Sequence, residues 1–162
     1  MFRRFLAIAA LTGVLFTLGA CEEAPPPPDP AKIVPTNPSD SAAWKKYVTA
    51  ISKTYIPAAQ ADQNSRVFVT FVEYGQDEAK TARHIENTKN FIGRGIAEGT
   101  TLLFASPDSP LMASIVEQAF ADPRPDLLKG IRVIFIGQKA EEERVRTAVT
   151  AWGASFVFHE AK

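Results

Sequence analysis

The chain has 162 residues, 46% of them apolar and 22% charged, and its 18 basic side chains balance its 18 acidic ones. This is the composition of one folded domain; with 10% aromatics and a single cysteine it excludes wholesale disorder, collagen-like repeats and a disulfide scaffold. A formal net charge of zero supplies no concentrated basic surface, so nucleic acid is not an expected partner.

The chain begins as an export signal would. Phe2-Arg3-Arg4 is a short basic start, and Phe5 to Ala20 carries no charged residue. About 16 apolar-rich residues fall short of the roughly 20 that cross a hydrocarbon core. The segment ends in Leu18-Gly19-Ala20-Cys21, with small residues leading into the sole cysteine. This resembles the lipobox of bacterial lipoproteins. The resemblance implies cleavage before Cys21, a diacylglyceryl thioether on its sulfur, and acylation (palmitate or a similar chain) of the new terminus. It also implies outer-membrane sorting, with the inner membrane as the alternative, because the family's inner-membrane retention signal is an Asp after the cysteine and this chain has Glu22. Two or more acyl chains hold a protein stably on a bilayer, where one is marginal. The membrane is therefore an expected partner through Cys21.

Seven of the twelve prolines lie between Pro25 and Pro38. Proline lacks an amide donor, so this run suits extended polyproline II, a spacer of up to roughly 40 Å at about 3.1 Å per residue. The expected organisation is a signal peptide over 1–20, a lipidated cysteine and proline-rich linker over 21–39, and an α/β domain over 40–162.

Within that domain, Trp44, Tyr47, Val48, Ile51 and Tyr55 recur at helical spacing and predict a helix from Ser41 to Tyr55. Val67 to Val72 is apolar without alternation, which suits a central strand covered on both faces. Asp77 is a helix cap, and Thr81, Ile85, Thr88, Ile92 and Ile96 line one face of a helix ending near Gly99. Thr100 to Ala105 is a second strand. Pro107-Asp108-Ser109-Pro110 gives a turn, a cap and an early helical proline, followed by a face of Leu111, Met112, Ile115, Val116, Ala119 and Phe120. Ile131 to Ile136 is a third strand. A fourth helix begins around Lys139, carries Glu141, Glu142 and Glu143 in its first turn, and stops at Gly153. Ser155 to Phe158 is the last strand.

Strands separated by helices build a mostly parallel sheet through right-handed crossovers, so the fold class is α/β, a small Rossmann-like three-layer sandwich of four strands. An order of 2-1-3-4 is one arrangement, and an antiparallel final strand the main rival. In such folds ligands bind beyond the carboxyl ends of the strands. The candidate ligand-binding residues are therefore Glu73, Tyr74, Asp77, Ser106, Asp108 and His159, with Gln76, Ser109, Gln138, Lys139 and Glu160 beside them. Carboxylates at helix starts are more simply caps than metal ligands, and a histidine near the terminus is more simply solvated. Adjacent strand residues point to opposite faces, which separates His159 from Glu160.

No glycine-rich phosphate loop follows a strand, no Gly-x-Ser-x-Gly elbow exists, and the only thiol is assigned to lipid. No catalytic residue, metal or cofactor is expected, and the balance leans away from an enzyme. The leading expectation is a membrane-tethered periplasmic lipoprotein whose α/β domain binds an envelope protein. The alternative is a small-ligand or hydrolytic site at the strand ends.

Overall fold

The computed structural model describes residues 33–55 and 66–162; the expected signal segment, Cys21, most of the proline run and the link between the first helix and first strand lie outside them. The first helix, α1, spans Ser41–Tyr55, as its spacing predicts, and buries Trp44, Tyr47, Val48 and Ile51. Strands β1 (Val67–Phe71), β2 (Thr101–Ala105), β3 (Arg132–Gly137) and β4 (Ser155–Glu160) alternate with helices α2 (Glu78–Gly93), α3 (Ser109–Ala119) and α4 (Glu142–Thr150). A single 3₁₀ turn, Lys139–Glu141, leads into α4.

Local chemistry sets these boundaries. Asp77 and Asp108 accept hydrogen bonds from the backbone N–H groups of Lys80 and Leu111, and each such cap contributes about 1 kcal/mol. The second helix stops at Gly93, short of the expected Gly99, because Gly95 and Gly99 both take left-handed backbone angles.

All four strands are parallel and lie in the order β1-β2-β3-β4. The order 2-1-3-4 is thus corrected, the antiparallel rival for β4 is excluded, and β1 is an edge strand where a central one was expected. Three successive right-handed crossovers step in one direction, so α2, α3 and α4 all fall on one face. That face holds the larger core, where Leu102, Phe104, Val133 and Phe135 meet Ile92, Met112, Val116, Val145 and Val149. On the opposite face α1 alone covers the sheet, packing on Leu103, Ala105, Ile134 and Ile136.

The asymmetry has a geometric consequence. Strands lie about 4.8 Å apart and packed helices about 10 Å apart, so one helix covers roughly two strands. Three helices cover a four-stranded face; one cannot. The first helix covers the middle of the sheet and reaches β4, leaving β1 the least protected.

The linker also ends differently from the expected spacer. Ile33 and Val34 pack on the α1-side core, and the indole N–H of Trp44 donates to the carbonyl of Asn37 at 3.1 Å. The last residues before α1 therefore lie on the domain. Among the described residues no helix is long and apolar enough to cross a membrane.

Candidate functional site

Of the residues expected at the strand ends, Ser106, Ser109 and Gln138 line one hollow, while Glu73, Asp77 and Asp108 are engaged by other parts of the fold. Glu73 is held by α1: it accepts from Ser41 Oγ at 2.8 Å and pairs with Lys45 at 3.0 Å, and these contacts lower its carboxyl pKa. Asp77 is occupied by the α2 cap, whose backbone hydrogen bond from Lys80 lowers its pKa too. Asp108 caps α3, while Ser106 Oγ accepts the N–H of Asp108 at 3.0 Å. Tyr74 stands exposed beyond β1. Among the described residues no three His, Cys, Asp or Glu side chains gather as a metal site requires.

The topology explains this scatter. A crevice opens at the strand ends where neighbouring connections leave to opposite faces of the sheet. With every crossover on the same side there is no such switch point. What lies there is a hollow of about 200 Å³ between the ends of β2 and β3, roofed by Val34, Pro35 and Pro38 together with Trp44. Gly137 forms its floor: a Cβ there would meet Ser109 Oγ and the Phe135 ring at 2.5 Å. Its absence lets Ser109 accept the Gln138 N–H at 2.8 Å.

His159 belongs to a different setting again. It lies on the α1 face of β4, where Tyr47 Oη is 3.1 Å from Nε2 and Tyr55 Oη is 3.0 Å from Nδ1. A neutral imidazole has one donor and one acceptor nitrogen, so the two phenols complete its hydrogen bonding whichever tautomer is present. Burial lowers the His159 pKa and raises that of Tyr47, whose side chain is almost fully enclosed. The expected solvated histidine is instead half-buried and braced between two rings, far from Glu73, Asp77 and Asp108 in role. Arg132 Nη1 donates to the Tyr55 carbonyl at 3.3 Å and fastens the end of α1 to β3.

The feature with no internal explanation is β1. Among the described residues the exposed large hydrophobic side chains are Val67, Phe68, Val69, Tyr74 and Phe91, all on β1, just after it, or on the helix beside it. Val69 is 52% exposed and Phe68 40%, in a strand reading Val-Phe-Val-Thr-Phe without charge or proline. Val67 and Val69 face the α1 side, beyond the reach of α1. Phe68 faces α2, where its ring lies 4.7 Å from that of Phe91. Between them runs a groove of about 320 Å³ walled by Phe68, Phe91, Leu102, Thr88, His84 and Asn87.

Among the described residues no strand pairs with the outer side of β1. The carbonyl of Arg66 accepts from Thr101 and the N–H of Val72 donates to Ala105, so the even-numbered residues direct their amides to β2. Successive amides alternate in direction along a strand. The N–H and C=O groups of Val67, Val69 and Phe71 therefore point away from the sheet. Periodicity could not reveal this, because an unbroken apolar run has the same signature whether neighbours cover it or not. The signal available in sequence was the count of helices: one before β1 and three after it.

Family models, curated proteins and solved structures were all compared with the chain, and none matches.

Proposed function

We propose that this protein is a lipid-anchored lipoprotein of the bacterial outer membrane whose α/β domain, held in the periplasm, is a docking module for another polypeptide, with β1 and the adjoining α2 groove as its docking surface. The observation that carries the reading is the concentration of exposed large apolar side chains on one sheet edge, whose outward amides meet no strand among the described residues. Contiguous apolar surface rimmed by polar residues marks interaction sites, and an open strand edge is a template for a further strand. The anchor rests on Leu18-Gly19-Ala20-Cys21 and its apolar leader.

Two measurements test the two halves. Labelling cells with an alkyne fatty acid should tag the chain and place it in the outer-membrane fraction, and Cys21→Ser should abolish the tag; an untagged protein retaining its leader contradicts the anchor. For docking, a photoreactive p-benzoyl-phenylalanine at position 69 of the full chain in cells should give a discrete protein adduct. The same probe at Lys129, an exposed site away from β1, should give none. Equal yields at both positions, or no adduct at 69, contradict a docking edge.

A further inference from the structure

We infer that His159 is the pin of an acid-opened clasp: in its Nδ1–H form it fastens the C-terminal end of α1 to β4, and uptake of a second proton releases that end. The clasp lies at the opposite edge of the sheet from β1 and is independent of what docks there.

Burial fixes the tautomer. Tyr47 is 1% exposed, and among the described residues the hydrogen-bond partner of its hydroxyl is His159 Nε2, at 3.1 Å. A buried O–H without an acceptor is costly, so Tyr47 donates and Nε2 is the bare nitrogen. The proton of the neutral ring then sits on Nδ1, which donates to Tyr55 Oη at 3.0 Å. Tyr55 is half-buried, so water can meet its own O–H. Every donor has an acceptor in this arrangement. The opposite tautomer makes Nε2 a donor and strands the Tyr47 proton.

The same geometry opposes a second proton. It can go only to Nε2, where it meets the hydroxyl proton of Tyr47 head-on. Tyr47 must then turn its O–H into surroundings that hold no other acceptor for it among the described residues. No carboxylate there pairs with the new imidazolium. Tyr47 and Tyr55 face the ring from α1, whose Lys53 is exposed. Ile136 stands beside it on β3, and Arg132 of that strand is spent on the Tyr55 carbonyl at 3.3 Å. Glu160, next on β4, turns to the other face and pairs with Lys162 at 3.1 Å. Burial therefore lowers the His159 pKa unopposed.

Two movements could bring water to the charged ring, and burial chooses between them. Shifting Tyr47 would empty the core that α1 shares with Ile134 and Ile136. Lifting Tyr55, the last residue of α1, gives up only a half-buried ring and the Arg132 contact. Opening at Tyr55 uncovers Val157 and His159 on the α1 side of β4, while the rest of the helix stays seated on the sheet.

Single-residue amide exchange of the full chain, corrected for the intrinsic rate at each pH, tests the clasp. Opening takes up one proton at a group whose ordinary pKa is 6.5, so from pH 7.5 to 5.5 the protection of Lys53, Thr54 and Tyr55 should fall several-fold, with a ceiling of about tenfold. Protection of Val133 to Phe135 in β3 should hold. His159→Gln keeps a donor and an acceptor but does not titrate, and should make the three helix-end amides indifferent to pH. If that variant does not fold, nitrogen-15 NMR of the native chain at pH 7.5 decides, with the His159 proton expected on Nδ1. A proton on Nε2 overturns the clasp. So does protection that is unchanged at pH 5.5, that falls equally in β3, or that falls as far in a folded His159→Gln as in the native chain.

Discussion

The two edges of this sheet are built from similar sequence and finished differently. The last strand, β4, carries two phenylalanines toward the three-helix face, and each lies beneath a cation: Arg146 is 4.7 Å from the ring of Phe156 and Lys139 is 5.5 Å from that of Phe158. Both cations also pair with Glu142, whose pKa is lowered chiefly by these hydrogen bonds. The other face of β4 is sealed by Tyr47, Tyr55 and His159. The first strand, β1, is covered only at its end, where Lys45 Nζ stands 5.6 Å from the ring of Phe71 and that ring packs on the α1-side core. Its Phe68 is answered by another exposed ring, and its valines by nothing on the described chain. Charged side chains over an edge are how natural sheets prevent unwanted strand addition. On the docking reading proposed above, the less guarded edge is the one left for a partner.

Substitutions along the sheet sharpen this contrast, and the largest effect belongs to neither edge. Phe104 is buried on β2 and packs edge-on against Phe120. Phe104→Ala should cost about 3–5 kcal/mol in denaturant unfolding. The half-open Phe68→Ala should cost under about 1 kcal/mol, since much of that ring is already in water. Equal costs would mean that β1 is covered after all.

Next is the seal on β4. Because burial lowers the His159 pKa, the unfolded chain binds the proton more readily than the folded one. Stability is then full above the ordinary value of 6.5 and declines as pH falls through it toward the lower folded pKa. Equilibrium unfolding from pH 7.5 to 5 should show this decline, and His159→Gln should flatten it. A slope unchanged by the substitution would place its origin elsewhere. A separate loss at more acid pH, below the ordinary carboxylate value of 4.5, belongs to Glu142 and Glu73.

A smaller effect tests the guard directly. Arg146→Ala removes the cation over Phe156 and should cost about 0.5–1 kcal/mol while raising aggregation through β4. Light scattering that stays unchanged would show that the cation protects nothing. An effect of similar size and opposite sign belongs to Thr100, directly before β2, whose Oγ1 is buried without a hydrogen-bond partner among the described residues. Thr100→Val removes that unmet hydroxyl and should raise stability by about 1 kcal/mol, measured by the urea midpoint.

Much of the architecture was legible in the residues. The spacing of Trp44, Tyr47, Val48 and Ile51 located α1, and Asp77 and Asp108 marked the starts of α2 and α3, because capping and periodicity are local. Strand order was not, since it depends on which way each crossover steps, and 2-1-3-4 uses the same segments as the observed order. The site suffered from the same gap. Glu73, Asp77, Ser106 and Asp108 were assigned to a ligand by topology; each has a partner within the fold, and of the four only Ser106 lines the hollow at the strand ends. The edge was hidden in plain apolar sequence: Val67 to Val72 has a buried strand's pattern, and only the tertiary position of a single helix leaves it uncovered.

Amide exchange of the full chain in isolated envelope membranes, resolved to single residues along 66–72, tests the docking edge most directly. Phe68, Thr70 and Val72 are protected by β2 in any case; the account predicts that Val67, Val69 and Phe71 are protected as well, and that Val69→Lys releases these three alone. If the three outward amides exchange freely in the membrane-bound protein, no strand sits on β1 and the edge is not a docking surface.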